Sequence, residues 1–215
     1  MSNRAPSLVI EVYADIACPW CWIGEHRLRA ALRQRPEVSA QQVWRPFQLQ
    51  PEMPEEGLPW REFAESKFGG LDRASEMFAH VAKAGQQAGV EFRFDRLVTA
   101  PNTADAHALI LLAGDQGMEV AENLFAAYFR DGQNLNDRQA LRRIATDAGM
   151  DAEVVEASLG GPGLREAVRM SQRQAEALGI AGVPFFVFDG RYGLSGAQPT
   201  EVFLQAIDAA TAAEV

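Results

Sequence analysis

The segment YADIACPWCWIGEHRL, residues 13–28, holds both of the chain's cysteines, Cys18 and Cys21. A C-x-x-C pair can do two kinds of chemistry. It can carry two electrons as a dithiol–disulfide couple, or it can supply half of a four-thiolate zinc site. The three histidines, His26, His80 and His107, show no ligand spacing, so the redox reading is favoured and no metal is expected. Thiol exchange needs a thiolate, and thiolates form most readily where unpaired backbone N–H groups and a helix dipole favour negative charge. Cys18 stands immediately before Pro19, a residue suited to the first turn of a helix. It is therefore expected to be exposed, activated and first to attack. Cys21, one turn further in, is expected to be shielded and to resolve the mixed disulfide. Between them, Pro19 and Trp20 are expected to meet substrate, with Trp20 as an apolar wall, while Trp22 packs in the core.

A second signal lies far away in GIAGVPFF, residues 179–186. A proline fits a strand best at its first residue. A cis Val183–Pro184 bond would present the Val183 backbone beside the thiols, ready to pair with an extended substrate. Only about 5–6% of X–Pro bonds in folded proteins are cis. The combination with C-x-x-C is what overturns that rate here.

These residues need elements to position them. SLVIEVYA, residues 7–14, reads as a buried strand feeding the helix that starts at Pro19, and Pro36 closes that helix. QVWRPFQL, residues 42–49, reads as a second strand interrupted by Pro46. From about residue 55 to 178 the pattern is helical. Ala74, Met77, Phe78 and Val81 recur at i, i+3, i+4, i+7, as do Ala121, Leu124, Phe125 and Tyr128. VEFRFD alternates but is not placed. PFFVFDGRYGLSG reads as a β-hairpin turning at Asp189-Gly190, and a final amphipathic helix opens at Pro199. The order β, α, β, helical block, β, β, α predicts a small mixed sheet flanked by helices, an α/β chain with a helical lid.

Totals restrict the partners. Among 215 residues, 47% are hydrophobic and 23% charged, and the formal charge is −9. With no basic cluster, nucleic acid and anionic membrane surfaces are excluded as partners. No apolar run approaches the ~20 residues of a membrane span. The opening residues lack a signal-peptide pattern, so a cytoplasmic setting is expected, where structural disulfides are rare.

The motifs YADIACPWCWIGEHRL, PNTADAHAL, LFAAYFRDGQNLND and GVPFFVFDGRYGLSGAQP resemble the FrnE-like branch of the DsbA family of thiol–disulfide oxidoreductases. The resemblance runs through nearly the whole chain. It implies a thioredoxin-like fold built from residues 1–54 and 179–215, with an all-helical insertion over residues 55–178. It also implies Cys18 as attacking cysteine, Cys21 as resolver and a cis bond before Pro184, with Val183 docking substrate. Substrates would be protein, peptide or small thiols and disulfides, no dissociable cofactor would be needed, and glutathione is the candidate co-substrate. His107 would face the active site and touch substrate, and Glu11 is a candidate proton relay. Pro19-Trp20 replaces the Pro-His usual in periplasmic relatives, which implies a less oxidising couple. Two other functions share the fold or its features: a glutathione-dependent isomerase or kappa-type transferase, and a redox-sensing, chaperone-like binding module. The sequence leaves the oligomeric state open.

Overall fold

The computed structural model describes residues 7–212, so the ends of the expected thioredoxin-like unit, residues 1–6 and 213–215, lie outside the described residues. Strand β1 (Ser7–Ala14) leads through a short turn into helix α1 (Pro19–Arg33), which crosses over to β2 (Ser39–Pro46). β1 and β2 are parallel, pairing Ser7 with Ser39 through Ala14 with Pro46. A parallel pair requires such a crossover. The expected second strand therefore lies three residues early. Pro46 ends it instead of interrupting it, because the chain leaves the ladder there and Phe47 N–H donates to the Ala14 carbonyl at 3.1 Å.

The C-terminal strands β5 (Phe185–Phe188) and β6 (Tyr192–Ser195) complete a sheet of order β2-β1-β5-β6, with β5 antiparallel to both neighbours. Their turn matches the Asp189-Gly190 signal. Both residues have positive φ, 50° and 65°, as a primed hairpin turn requires. The central strand β1 buries Leu8, Ile10, Val12 and Ala14 on one face and Tyr13 on the other, which explains its near-continuous apolarity. A last helix of this layer, Thr200–Ala212, lays Phe203, Ile207 and Ala210 into the core.

Between β2 and β5 the chain runs through β3 (Leu58–Pro59), α2 (Trp60–Phe68), α3 (Leu71–Ala88), β4 (Thr99–Ala100) and α4 (Ala104–Leu112). It continues through α5 (Gly117–Phe125), a π-helical turn (Ala126–Arg130), α6 (Arg138–Asp147), α7 (Ala152–Ser158) and α8 (Pro162–Ala177). The insertion is thus helical apart from short 3-10 turns and one minimal antiparallel ladder, in which Leu58 pairs with Ala100 and Pro59 with Thr99. The unplaced VEFRFD segment is irregular and ends in a single 3-10 turn, Phe94–Arg96; its Arg93 N–H donates to the Phe129 carbonyl of the π-helical turn at 2.8 Å, not to a partner strand. Among the described residues, no helix is long and apolar enough to cross a membrane. The helix numbering closes with α9 for Thr200–Ala212.

Candidate active site

Cys18 is the N-cap of α1, with extended backbone (φ −101°, ψ 109°), and Pro19 occupies the first turn. The approach is fixed by backbone hydrogen bonds: Cys18 N–H donates to the Asp15 carbonyl and Cys21 N–H to the Cys18 carbonyl, both at 3.0 Å. Contrary to expectation, Cys18 is not exposed. It is 5% accessible and Cys21 1%, so the two thiols differ in surroundings more than in exposure. The insertion covers the α1 start and removes Cys18 from open solvent. Burial pushes the Cys21 thiol well above its ordinary value, and a hydrogen bond with Cys18 and that sulfur's charge push the same way.

The Val183–Pro184 bond is cis, and Cys18 Sγ lies 3.8 Å from the Val183 carbonyl oxygen, to which it donates. The fold thus brings together two segments 165 residues apart. Gly24 permits the closeness of α1 to this loop: a Cβ there would lie 3.1 Å from both Pro184 Cγ and Phe186 Cζ.

Two expected residues lie elsewhere in function. Glu11 points to the Tyr13 face of the sheet and pairs with Arg45 across the β1–β2 ladder, Nη2 to Oε1 2.5 Å. The strand's alternation carries it away from the thiols, so it is no relay for them. The carboxylate beside the pair is Asp15, which is 1% accessible. Asp15 accepts hydrogen bonds from Leu49 N–H at 2.7 Å and Ala17 N–H at 3.2 Å. His107, expected at the substrate surface, is instead wholly buried behind Asp15. Its Nδ1 accepts from Trp44 Nε1 at 3.1 Å, which leaves the proton on Nε2, 3.4 Å from Asp15 Oδ1. The sequence offered no period or spacing for Asp15; its proximity to Cys18, three residues on, was the one available signal.

A cavity of about 230 Å³ opens against Asp15, Cys18, Pro19 and Trp20, and residues of α2 and α3 form its far side. Pro19 and Trp20 therefore stand where sequence reasoning put them, on the wall of a space beside Cys18. Missed were the rings of the insertion that complete it, because the helical pattern of residues 60–81 does not say which face they turn to the thiols.

A four-stranded thioredoxin-type sheet, a C-x-x-C pair opening its first helix, and a cis-proline against the first sulfur define the thiol–disulfide oxidoreductase class of this fold. A family model described as the DSBA-like thioredoxin domain matches residues 9–208, and the chain belongs to that family. It is similar to a probable DsbA oxidoreductase of Streptomyces coelicolor, with 34% identity, a TM-score of 0.85, and coverage of 94% of this chain and 89% of that one. The Bacillus subtilis protein YwbO is 25% identical over 201 residues, which is 92% of this chain and 94% of that protein. The fold is also that of the cytosolic disulfide reductase DsbM of Pseudomonas aeruginosa, solved with glutathione, at TM-score 0.62, 22% identity and 96% coverage of each chain.

Proposed function

We propose that the protein exchanges disulfides with thiol substrates through Cys18 and Cys21. Cys18 thiolate attacks a substrate disulfide and takes one sulfur in a mixed disulfide, and the other leaves as a thiolate. Cys21 then attacks Cys18, closing an internal disulfide and releasing the second substrate thiol. Run backwards, the same steps oxidise a dithiol. If a second substrate thiol attacks the mixed disulfide before Cys21 does, the outcome is isomerisation. Glutathione is the proposed small co-substrate that returns the pair to its starting state. No dissociable cofactor enters, since the two sulfurs carry both electrons. A chain with a single cysteine pair suits a cytoplasmic setting, where the pair's redox state is set by such thiols.

The observation that carries this reading is the position of Cys18 Sγ, at the start of α1 and 3.8 Å from the carbonyl oxygen of Val183 in the cis Val183–Pro184 bond, with Cys21 buried one turn further along the helix. An incoming sulfur meets Cys18 from the cavity side, while Cys21 waits behind it. The test is trapping. Cys21→Ser is expected to accumulate mixed disulfides on Cys18, seen as shifted bands on non-reducing gels, while Cys18→Ser accumulates none. Trapping by Cys18→Ser alone would reverse the roles; tight glutathione binding by both without exchange would favour a transferase.

A further inference from the structure

The sequence leaves the substrate class open between polypeptides and small molecules, and the cavity beside Cys18 bears on that choice. Cys18 is only 5% accessible, yet it forms part of the cavity wall. A disulfide must therefore enter the cavity to present its sulfur. At about 230 Å³ the space is larger than the ~150 Å³ that admits a benzene molecule in an apolar core, and smaller than the ~300 Å³ at which drug-sized pockets begin. It fits one substituted ring with its sulfur.

The walls match a ring. Trp20 comes from α1, Trp60 and Phe63 from α2, Met77 and Phe78 from α3, and Phe129 from the π-helical turn. Trp60 lies 5.5 Å from Phe78, and Phe78 in turn stacks at 4.5 Å on Phe94. Rings braced on one another in this way form a preorganised cage, which lowers the ordering cost of binding. Met77 adds a polarisable sulfur suited to aromatic faces. Charge is placed at two points. Asp15, at the Cys18 end, is held by two backbone N–H groups and disfavours an anion near the reacting sulfur. Lys67, exposed on the last turn of α2, is the one cation among the described lining residues.

We infer that this cavity binds the aromatic arm of a small disulfide or thiol that carries an acidic substituent remote from its sulfur. The inference rests on the thiol–disulfide reading of Cys18 and names the substrate class for it. Cys18 thiolate attacks the ring-bearing sulfur of ArS–SR; the new Cys18–SAr bond forms as the S–S bond breaks, and RS⁻ leaves and is protonated. Cys21 attacks Cys18, forms the Cys18–Cys21 disulfide and releases ArS⁻. The protein dithiol loses two electrons, the disulfide gains them, and the two thiol protons end on the two product thiols.

The experiment is a single turnover of fully reduced protein with di(meta-carboxyphenyl) disulfide and, separately, glutathione disulfide. Each rate is divided by that of the same disulfide with free dithiothreitol, which removes intrinsic reactivity. The aryl rate is expected to exceed the glutathione rate by about fiftyfold, within the range a fitted apolar pocket supplies. Met77 is half-exposed, so Met77→Trp fills the cavity from a tolerant position, and the rate ratio is expected to fall about tenfold. In Lys67→Glu, an exposed position, the aryl rate is expected to fall about threefold, the scale of an exposed ion pair. A non-reactive analogue, meta-(methylthio)benzoate, is expected to bind the wild type and not Met77→Trp by calorimetry. If glutathione disulfide reacts but the aryl preference is missing, or the ratio is unmoved in Met77→Trp, the cavity assignment is overturned and the oxidoreductase reading stands. If neither disulfide reacts, the oxidoreductase reading falls and takes the inference with it.

Discussion

At the scale of single residues, the difficulty is Cys21's proton. Burial holds that thiol well above its ordinary range, and resolution needs its thiolate. Asp15 is the carboxylate whose charge Cys21 feels, and its backbone N–H stands where it stabilises a thiolate at Cys21. His107 backs Asp15 from within the insertion, at 3.4 Å. Asp15→Asn leaves the shape intact but removes a proton acceptor, an effect worth on the order of 10² or more where such a group acts. Loss of its charge also lowers the Cys21 value. Desolvation is the larger cause and persists, so the lost acceptor prevails. Resolution of the Cys18 mixed disulfide, followed by stopped flow, is expected to slow at least about tenfold at neutral pH, with its pH profile moved toward acid. An unchanged rate would leave Asp15 a structural acceptor only. The cysteines and Val183-Pro184 were legible because local spacing carries their chemistry. Asp15 was not, although it lies in the same short segment: what makes it notable is contact with Leu49 and His107, which no local pattern encodes. Glu11 drew attention in its place by nearness in sequence, and strand alternation turned it to the other face.

At the scale of elements, α1 is pinned to α5 by a polar cluster that packing alone does not explain. Glu122 accepts from Trp22 Nε1 at 3.1 Å and pairs with His26 at 3.2 Å, while Arg29 reaches both Glu25 and Glu122, at 2.5 and 3.6 Å. Glu25, Glu122 and His26 bring ligand atoms within 4.8 Å of one another, and Arg29 supplies the cluster's cation. Burial pushes the Glu25 carboxyl up to about 7, against the pull of Arg29. For His26, burial lowers the value but the hydrogen bond and charge of Glu122 outweigh it, so the net shift is upward. For Glu122 burial raises the value and the His26 hydrogen bond outweighs it, so the net shift is downward. The signs follow from linkage. Raised Glu25 and His26 contribute stability that is fully present below their unfolded values and is lost as pH rises through the folded ones. Lowered Glu122 contributes stability that is lost only in acid. Stability is therefore expected to fall from about pH 5 to about pH 8, by up to about 3 kcal/mol from Glu25. Glu25→Gln should flatten that slope, and urea midpoints across the range measure it. A slope identical in the variant would remove Glu25 as its source. The helices themselves were legible from their apolar period. This seam was not, since Glu122 lies 100 residues from Trp22. The β2 shift has a similar origin: its bounds are set by its register on β1, where Ser39 pairs with Ser7 and Pro46 with Ala14, and no local pattern encodes that pairing.

At the scale of the whole molecule, the two sequence units share one core. A single buried cluster runs from Leu8, Ile10 and Val12 of β1 through Trp22 of α1 to Val81, Phe125, Phe129 and Leu141 of the insertion. Trp22 stacks on Phe125 at 6.0 Å and on Phe129 at 6.2 Å, and Phe125 also meets Trp44 of β2 edge-on at 6.1 Å. The chain pattern separates residues 55–178 from the rest because helices replace strands there, but a change of period says nothing about whether the two parts bury their faces apart or together. Here they bury them together, and this holds the rings of α2 and α3 over Cys18. A shared core couples stability across the seam. Phe125 is 1% accessible, so Phe125→Ala removes a fully buried ring, a change that costs about 3–5 kcal/mol. That loss is expected to lower the unfolding midpoints of both parts equally. Far-UV circular dichroism is dominated by the insertion helices, while three of the four tryptophans, Trp20, Trp22 and Trp44, sit on α1 and β2 and report by fluorescence on the other part. In urea the two signals should give coincident single transitions, in wild type and variant alike. Two separated transitions, with only the circular dichroism midpoint displaced by Phe125→Ala, would show that the insertion unfolds alone and that Cys18 can be uncovered without loss of the sheet.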